Sequence, residues 1–227
     1  MTQPIKDTMT IQVLPYQDLT VHIYGRMKEM ILTGRLKPGQ KVVQEKLARE
    51  LGVSRTPLIK AMKILENEML IESIPRRGMV VKQIGVKEIL DAFYCREALE
   101  CLGVRLAARN ITDDQIARLE NMFVPFLDDI ENVDFDLYRK TDQKFHVDLM
   151  ECSNNQVLRK INFMDNVLLL SYQQLGLVRA PAETLPEHLQ IIDALKKRDA
   201  VLAERVMREH IQFSIKRIEE EYRNTLE

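Results

Sequence analysis

The chain has 227 residues, of which 45% are hydrophobic and 30% are charged, with 8 Gly and 8 Pro. This length allows one large or two modest domains, and the composition excludes a disordered, fibrous or disulfide-rich protein. No apolar run approaches the ~20 residues that a membrane helix needs, and the first residues lack a signal-peptide pattern. We therefore expect a cytoplasmic protein with no membrane partner, in which Cys95, Cys101 and Cys152 are reduced and buried.

The charge is unevenly distributed along the chain. Residues 1–84 carry 14 Lys and Arg against 8 Asp and Glu, whereas the remainder carries 19 against 26. Clustered positive charge attracts the phosphate backbone of nucleic acids. This division indicates a polyanion-binding module joined to a second domain of different function.

Three helical patterns occupy the first 67 residues. The first runs over about residues 18–33, the second from Gln44 to Leu51, and the third from Thr56 to Asn67. Gly52 suits a left-handed cap between the second and third helices, and Ser54 is a good N-cap for the third. This spacing predicts two helices joined by a tight turn.

Two short β-like runs follow, at residues 70–74 and 79–82, with Pro75-Arg76-Arg77-Gly78 between them. A hairpin with two arginines at its tip is therefore expected after the helix-turn-helix. A helix braced in this way can enter the DNA major groove, so the third helix is the candidate recognition helix.

The candidate DNA-binding residues lie on the polar face of the third helix and on the hairpin. We expect contacts with base edges or phosphates from Arg55, Thr56, Lys60, Lys63, Arg76, Arg77 and Gly78, with Ile59 also facing outward. The alternative is a helical hairpin whose lysines are merely solvated and whose β-turn has no binding role.

The stretch from Ile31 to Val81, and above all its Gly-Val-Ser-Arg-Thr-Pro core at 52–57, resembles the winged helix-turn-helix of the GntR family of bacterial regulators. The resemblance implies a dimeric repressor or activator in which Arg55, Thr56 and the wing near Arg77-Gly78 touch operator DNA. Ile59 and Glu45 depart from the family pattern, because both stand where arginine is frequent. Residues 10–84 are the predicted DNA-binding domain.

From Val86 onward the pattern is helical only, at about residues 86–109, 113–131, 134–152, 155–177, 185–197 and 200–223. Pro125 should kink or split the second of these segments. We therefore expect residues 85–227 to form an all-helical bundle, and the whole chain to be mainly α with one small β-hairpin.

Three of the four histidines fall in this helical region together with an acid at helical spacing. Asp142 and His146 are four residues apart and share one helix face, while His188 and His210 lie on later helices. If the helices pack antiparallel, one carboxylate and three imidazoles can converge on a divalent ion. Zn²⁺ or Ni²⁺ suits this donor set best, with Mn²⁺ or Fe²⁺ as further candidates. Individually, however, each residue also fits a surface or hydrogen-bonded role.

Residues 86–222 resemble the FCD effector domain of FadR-like GntR regulators. The resemblance rests on Arg96 to Glu100, Leu106 to Arg109, Asp142-x-x-Phe145-His146, Asn155, Glu187-His188 and Ala203 to His210. It implies that Asp142, His146, His188 and His210 are the metal ligands, and that residues 85–227 also form the dimer.

Arg96 is the candidate receptor for a small carboxylate, because a guanidinium near a bound cation can hold an acid by two hydrogen bonds. Glu100 lies four residues further along and offers an ordinary ion pair instead. The residues alone leave the two roles open. Tyr94, Tyr138 and Tyr172 are candidates to shape a ligand cavity, although aromatic residues in helices more often belong to the core.

Together these features predict a homodimeric, metabolite-responsive transcription regulator, which we expect to repress transcription. Its partners would be a palindromic double-stranded operator and a small organic acid bound beside the metal. The rival is a metalloenzyme that uses the Asp and three His to activate water or dioxygen, but it lacks an evident general base and gives the basic first third no role. A metal-stabilised scaffold is the third alternative.

Overall fold

The computed structural model describes residues 16–160 and 179–224, and the chain divides into two compact units, Met1–Lys82 and Gln83–Glu227. The first unit contains three helices and the only strands among the described residues, and the second is helical wherever it is described. The predicted fold class, mainly α with one β-hairpin, is confirmed. No helix within the described ranges is both long and apolar enough to cross a membrane.

The first unit consists of α1 (Tyr16–Leu32), α2 (Gln44–Leu51), α3 (Arg55–Asn67), β1 (Ile71–Ile74) and β2 (Gly78–Val81). These bounds lie within about two residues of the predicted ones. α3 packs against α1, and their buried side chains form the core: Ile23, Met27, Ile31, Leu58, Ala61, Met62 and Leu65. The apolar positions of α3 repeat at helical spacing, which leaves its opposite face to solvent.

The turn between α2 and α3 depends on Gly52. Its φ of +66° lies in the left-handed region, where a Cβ would be strained, and the Val53 N–H donates to the Ala48 carbonyl. After α3, β1 and β2 pair antiparallel with Ile71 opposite Val81 and Ile74 opposite Gly78. The chain thus forms a helix-turn-helix followed by a wing.

The second unit contains α4 (Val86–Asn110), α5 (Asp113–Asn121), α6 (Phe135–Cys152), α7 (Gln156–Lys160), α8 (Pro181–Lys196) and α9 (Ala200–Asn224). α4 packs against α6 and α9, and α9 packs against α8. Fully buried Phe123, Phe145, Ile191 and Ile211 contribute to the core of the bundle.

Two helices of the second unit have boundaries that differ from the predicted ones. The segment expected over 113–131 stops at Asn121 and continues as short 3₁₀ turns at Val124–Phe126 and Ile130–Asn132, because Pro125 cannot continue the helical ladder. α8 begins four residues before its predicted start, since Pro181 occupies the first turn, where no N–H is needed, and Pro186 is accommodated inside the helix. Of the segment expected over 155–177, residues 161–177 lie outside the described part.

The cysteine prediction is partly wrong. Cys101 and Cys152 are buried free thiols, as expected, but Cys95 is exposed. Cys95 precedes the buried Arg96 on α4 and lies on the solvent face of that helix.

Candidate metal centre and nucleic-acid interface

Three buried histidines meet between the helices of the second unit. His146 lies on α6, His188 on α8 and His210 on α9, and one ring nitrogen of each lies within 4.8 Å of the others. Asp142, one turn before His146, places its Oδ1 3.2 Å from Nε2 of His188. The structure therefore brings together all four residues that the sequence singled out as metal ligands.

A buried carboxylate orients His146. Nδ1 of His146 donates to Oε2 of Glu100 over 2.6 Å, and Nε of Arg96 donates to the other oxygen of Glu100 over 2.5 Å. Burial alone would raise the pKa of Glu100, but Arg96 and His146 lower it to about 2, so the group is ionised and accepts both hydrogen bonds. In the neutral form of His146 the lone pair is therefore on Nε2.

The same arrangement is repeated at His210. Its Nδ1 donates to Oε2 of Glu187 over 2.6 Å, and Arg179 donates to both oxygens of that carboxylate. Burial would raise the pKa of Glu187, but His210 and Arg179 lower it to about 2. Burial lowers the pKa of His210 to about 3, so its ring is neutral near pH 7 and carries its lone pair on Nε2.

His188 completes the cluster. Its ring stacks on Phe123 at 5.0 Å between centroids and lies 4.9 Å from Phe145, and burial lowers its pKa. Nε2 of His188 approaches Asp142 but makes no hydrogen bond with any described residue. A fully buried nitrogen that has an acidic neighbour but no well-aligned hydrogen bond is suited to accept a cation as its partner.

The residues present fit a divalent metal ion. Nε2 of His146 and Nε2 of His210 face each other at 3.3 Å, with both Nδ1 atoms committed to glutamates. Two lone pairs in this arrangement repel unless a proton or a cation lies between them, and the nearby Nε2 of His188 allows a cation to take all three. Ligand nitrogens ~2.0–2.1 Å from one ion lie ~3–3.4 Å apart, which matches the observed separation.

Gly103 of α4 faces the side chain of Met150 on α6. A Cβ at Gly103 would lie 2.4 Å from both Sδ and Cε of Met150, so the flexible end of this methionine occupies the space beside the glycine. Gly103 is three residues after Glu100 and Met150 four after His146, so this contact lies one turn from the Glu100–His146 hydrogen bond.

A cavity that is open to solvent adjoins the cluster and is lined by residues of α4, α6, α8 and α9, including Arg96, Asp142, His146 and His210. Arg96 is buried, pairs with Glu100 and also lines the cavity, so the two roles left open by the sequence are compatible. Tyr138 lines the cavity too, and its hydroxyl lies 2.8 Å from Oγ1 of Thr184. Tyr94 is exposed and donates to Glu219, and Tyr172 lies outside the described residues.

Sequence reasoning missed Glu187 as the partner of His210 and considered Glu100 only as a partner of Arg96. It also missed Arg179, which binds Glu187, and the lining residues Arg139 and Arg217. Metal-binding histidines commonly donate their second N–H to a carboxylate. Glutamates on the neighbouring helices were therefore candidates for this role from the sequence alone.

The candidate DNA-binding residues share the exposed face of the first unit's helix-turn-helix and its wing. The exposed members on α3 are Arg55, Thr56, Ile59, Lys60 and Lys63, and those on the wing are Arg76, Arg77 and Gly78. At the wing tip Arg76 (φ +66°) and Gly78 (φ +81°) adopt left-handed conformations, which turn the chain sharply and leave both arginines in solvent.

Glu45 of α2 binds Arg55 of α3. Oε1 of Glu45 accepts from Arg55 over 2.5 Å, and both side chains are exposed. An exposed pair of this kind contributes little stability, so Arg55 can exchange Glu45 for a phosphate or a base. Glu45, which departs from the family pattern, is thus paired with Arg55, which is expected to contact DNA.

Comparisons with known proteins agree with both units. Residues 19–81 match the gntR family of bacterial regulatory proteins, and residues 89–213 match the FCD domain. The HTH-type transcriptional repressor RspR of Escherichia coli is 30% identical over 90% of this chain and 91% of its own length. A probable D-xylose utilization operon transcriptional repressor of Paenarthrobacter nicotinovorans is 28% identical over 80% of each chain.

Solved structures share the fold. Escherichia coli McbR/YncC superposes with a TM-score of 0.71 at 22% identity, covering 90% of this chain and 98% of that one. A putative GntR transcriptional regulator from Rhodococcus gives a TM-score of 0.70 at 20% identity, covering 88% and 97%. The metalloenzyme alternative is wrong, since the family consists of regulatory proteins. The chain belongs to the GntR family of bacterial regulators, carries an FCD domain, and is a DNA-binding transcription regulator.

Proposed function

We propose that this regulator is a homodimeric repressor whose affinity for a palindromic operator falls when a small organic acid binds beside a divalent metal ion. The observation that carries the proposal is the convergence of three histidine nitrogens next to a cavity that Arg96 also lines. A sensor of this kind needs one site that recognises a metabolite and one that recognises DNA, and the two compact units supply one each.

Asp142, His146, His188 and His210 would hold the ion, because three imidazole nitrogens and one carboxylate oxygen suit Zn²⁺ or Ni²⁺, and also Mn²⁺ or Fe²⁺. The bound ion would supply a Lewis-acidic partner for a carboxylate of the effector. The histidine rings are buried, and the two glutamates keep the ligating nitrogens of His146 and His210 aimed at a common point.

Arg96 would bind the acid beside the ion. Its guanidinium is planar and permanently charged, so it matches a carboxylate in shape and charge. Its hydrogen bond to Glu100 fixes its orientation, and Glu100 also holds His146. A movement of Arg96 on effector binding would therefore be transmitted through the Glu100 carboxylate to His146, one of the proposed metal ligands.

On the DNA side, Arg55 and Thr56 at the start of α3 would reach base edges or phosphates, and Lys60 and Lys63 would neutralise backbone charge. Arg76, Arg77 and Gly78 of the wing would contact the sugar-phosphate backbone or the minor groove. A two-fold dimer presents two such surfaces and so requires a palindromic site. Two relatives are named as transcriptional repressors, which supports repression rather than activation of transcription.

The two binding events must be coupled equally in both directions. If the acid weakens operator binding by a given factor, operator DNA weakens acid binding by the same factor. Operator affinity should also fall steeply with added salt, because lysine and arginine contacts release counterions from the phosphates.

The metal assignment predicts one tightly bound Zn²⁺ per chain. His188→Ala should lower the Zn²⁺ affinity of the full-length protein by at least about tenfold, because it removes one of four ligands. Isothermal titration of chelator-treated protein measures this loss. His22→Ala is the matched control, since His22 is exposed on α1. Equal Zn²⁺ affinity in wild type and His188→Ala, or no binding by wild type, would contradict the assignment.

The DNA assignment predicts that Arg55→Ala loses selective recognition. Affinity for an operator selected from a random duplex library should fall about tenfold or more, the size expected for one bidentate base contact. Zn²⁺ content and oligomeric state should not change. Arg26→Ala, which removes an exposed arginine of α1, should bind the operator like wild type. Retention of full selectivity by Arg55→Ala would refute the role given to Arg55.

A further inference from the structure

Four arginines line the cavity beside the histidine cluster: Arg96, Arg139, Arg179 and Arg217. Among the described residues of the lining, Asp142, one of the proposed metal ligands, is the single acidic residue. Each arginine also pairs with an acid that lies outside the lining. An incoming anion can therefore bind only where it replaces one of these pairs.

The four arginines fall into two classes. Arg96 and Arg179 are largely buried and form short pairs, each over 2.5 Å, with Glu100 and Glu187. Arg139 lies 3.6 Å from Asp136, which is highly exposed, and Arg217 lies 3.7 Å from the half-exposed Glu183. Long pairs with exposed acids contribute little, so a ligand anion can replace them.

Helix geometry places these two arginines at one end of the cavity. Arg139 lies three residues before Asp142 on α6, and Arg217 lies seven residues, or about 10.5 Å of helix, after His210 on α9. The contact between Arg217 and Glu183 brings this end of α9 next to the first turn of α8. The cavity therefore extends from the histidine cluster to a second cationic level formed by Arg139 and Arg217.

Hydroxyl groups also line the cavity. They belong to Tyr138, Thr184 and Ser214, and Thr184 is one turn before His188 on α8. These groups can donate to or accept from hydroxyls on the backbone of a ligand. The lining thus combines cationic groups with hydroxyls.

We propose that the effector is an acid with two anionic groups, one held at the histidine cluster and Arg96, and the second held by Arg139 and Arg217. This inference rests on the proposed function, since it needs an acid to bind beside the metal. The second group is a carboxylate or a phosphate, because a guanidinium binds both in the same way.

Matched acids test the proposal on the full-length, Zn²⁺-loaded protein by isothermal titration. The pairs are succinate with butyrate, malate with 3-hydroxybutyrate, and 3-phosphoglycerate with glycerate. In at least one pair the second anionic group should raise affinity about tenfold or more, equivalent to ~1.4 kcal/mol. A preference within either of the first two pairs would show that Arg139 and Arg217 bind a carboxylate, and a preference within the third pair would show that they bind a phosphate.

The double variant Arg139→Gln/Arg217→Gln should bind both members of each pair with similar affinity, while the exposed α9 control Arg205→Gln keeps the wild-type preference. Equal affinity for mono- and dianions in wild type, or a preference that survives in the double variant, overturns the proposal but leaves the proposed function standing. If no acid binds at all, both fail.

A different observation concerns the recognition helix. Ile59 is 49% exposed, although it is a large apolar residue on a face otherwise formed by Arg55, Lys60 and Lys63. Arg55, Ile59 and Lys63 follow one another at i, i+4 spacing and so form one row along α3. In the major groove, the C5 methyl of thymine is the apolar group that base edges present.

We infer that Ile59 determines specificity by packing on a thymine methyl in each half-site. This inference depends on α3 lying in the major groove and not on the metal site. It also gives a role to the residue that departs from the family pattern, since an isoleucine reads thymine where an arginine would read guanine.

Replacing single thymines by deoxyuridine in a library-selected operator removes only the methyl group. At one position in each half-site, this change should weaken wild-type binding about threefold to fourfold, the value of one buried methyl. Ile59→Ala should lose that sensitivity, and the control Ile64→Ala, on another face of α3, should keep it. Insensitivity of wild type at every thymine, or undiminished sensitivity in Ile59→Ala, would refute the inference.

Discussion

Two hydrogen bonds, from His146 to Glu100 and from His210 to Glu187, orient the two histidines around which the proposed metal site is built. Each glutamate is kept ionised by an arginine, so each histidine donates through Nδ1 and presents the lone pair of Nε2. The two lone pairs then face each other next to Nε2 of His188, an arrangement that fits a shared cation.

This constraint explains how a signal could reach other parts of the bundle. The cluster and its carboxylates take side chains from α4, α6, α8 and α9, so an ion and an acid bound there would connect all four helices. A ligand shifts such an equilibrium only by binding one arrangement of the helices better than another. Glu100 is well placed for this role, because it contacts both Arg96 in the cavity wall and a metal ligand.

The sequence predicted the elements well because their periodicity is local, and poorly where the outcome depended on packing. Gly52 and the apolar spacing of α3 were sufficient to place the helix-turn-helix, whereas the start of α8 required Pro186 to be tolerated inside a helix. The sequence named Asp142, His146, His188 and His210, which the structure brings close together. It did not reveal Glu187 beside His210, or Arg139 and Arg217 in the cavity lining, since these positions depend on how distant helices pack together.

X-ray absorption at the zinc edge of the Zn²⁺-loaded full-length protein tests the central claim most directly, because imidazole ligands can be counted from their scattering. The account predicts three imidazole nitrogens at ~2.0–2.1 Å together with oxygen ligands, and fewer imidazoles in His188→Ala. A wild-type spectrum with fewer than three imidazoles, or one unchanged in His188→Ala, would contradict it.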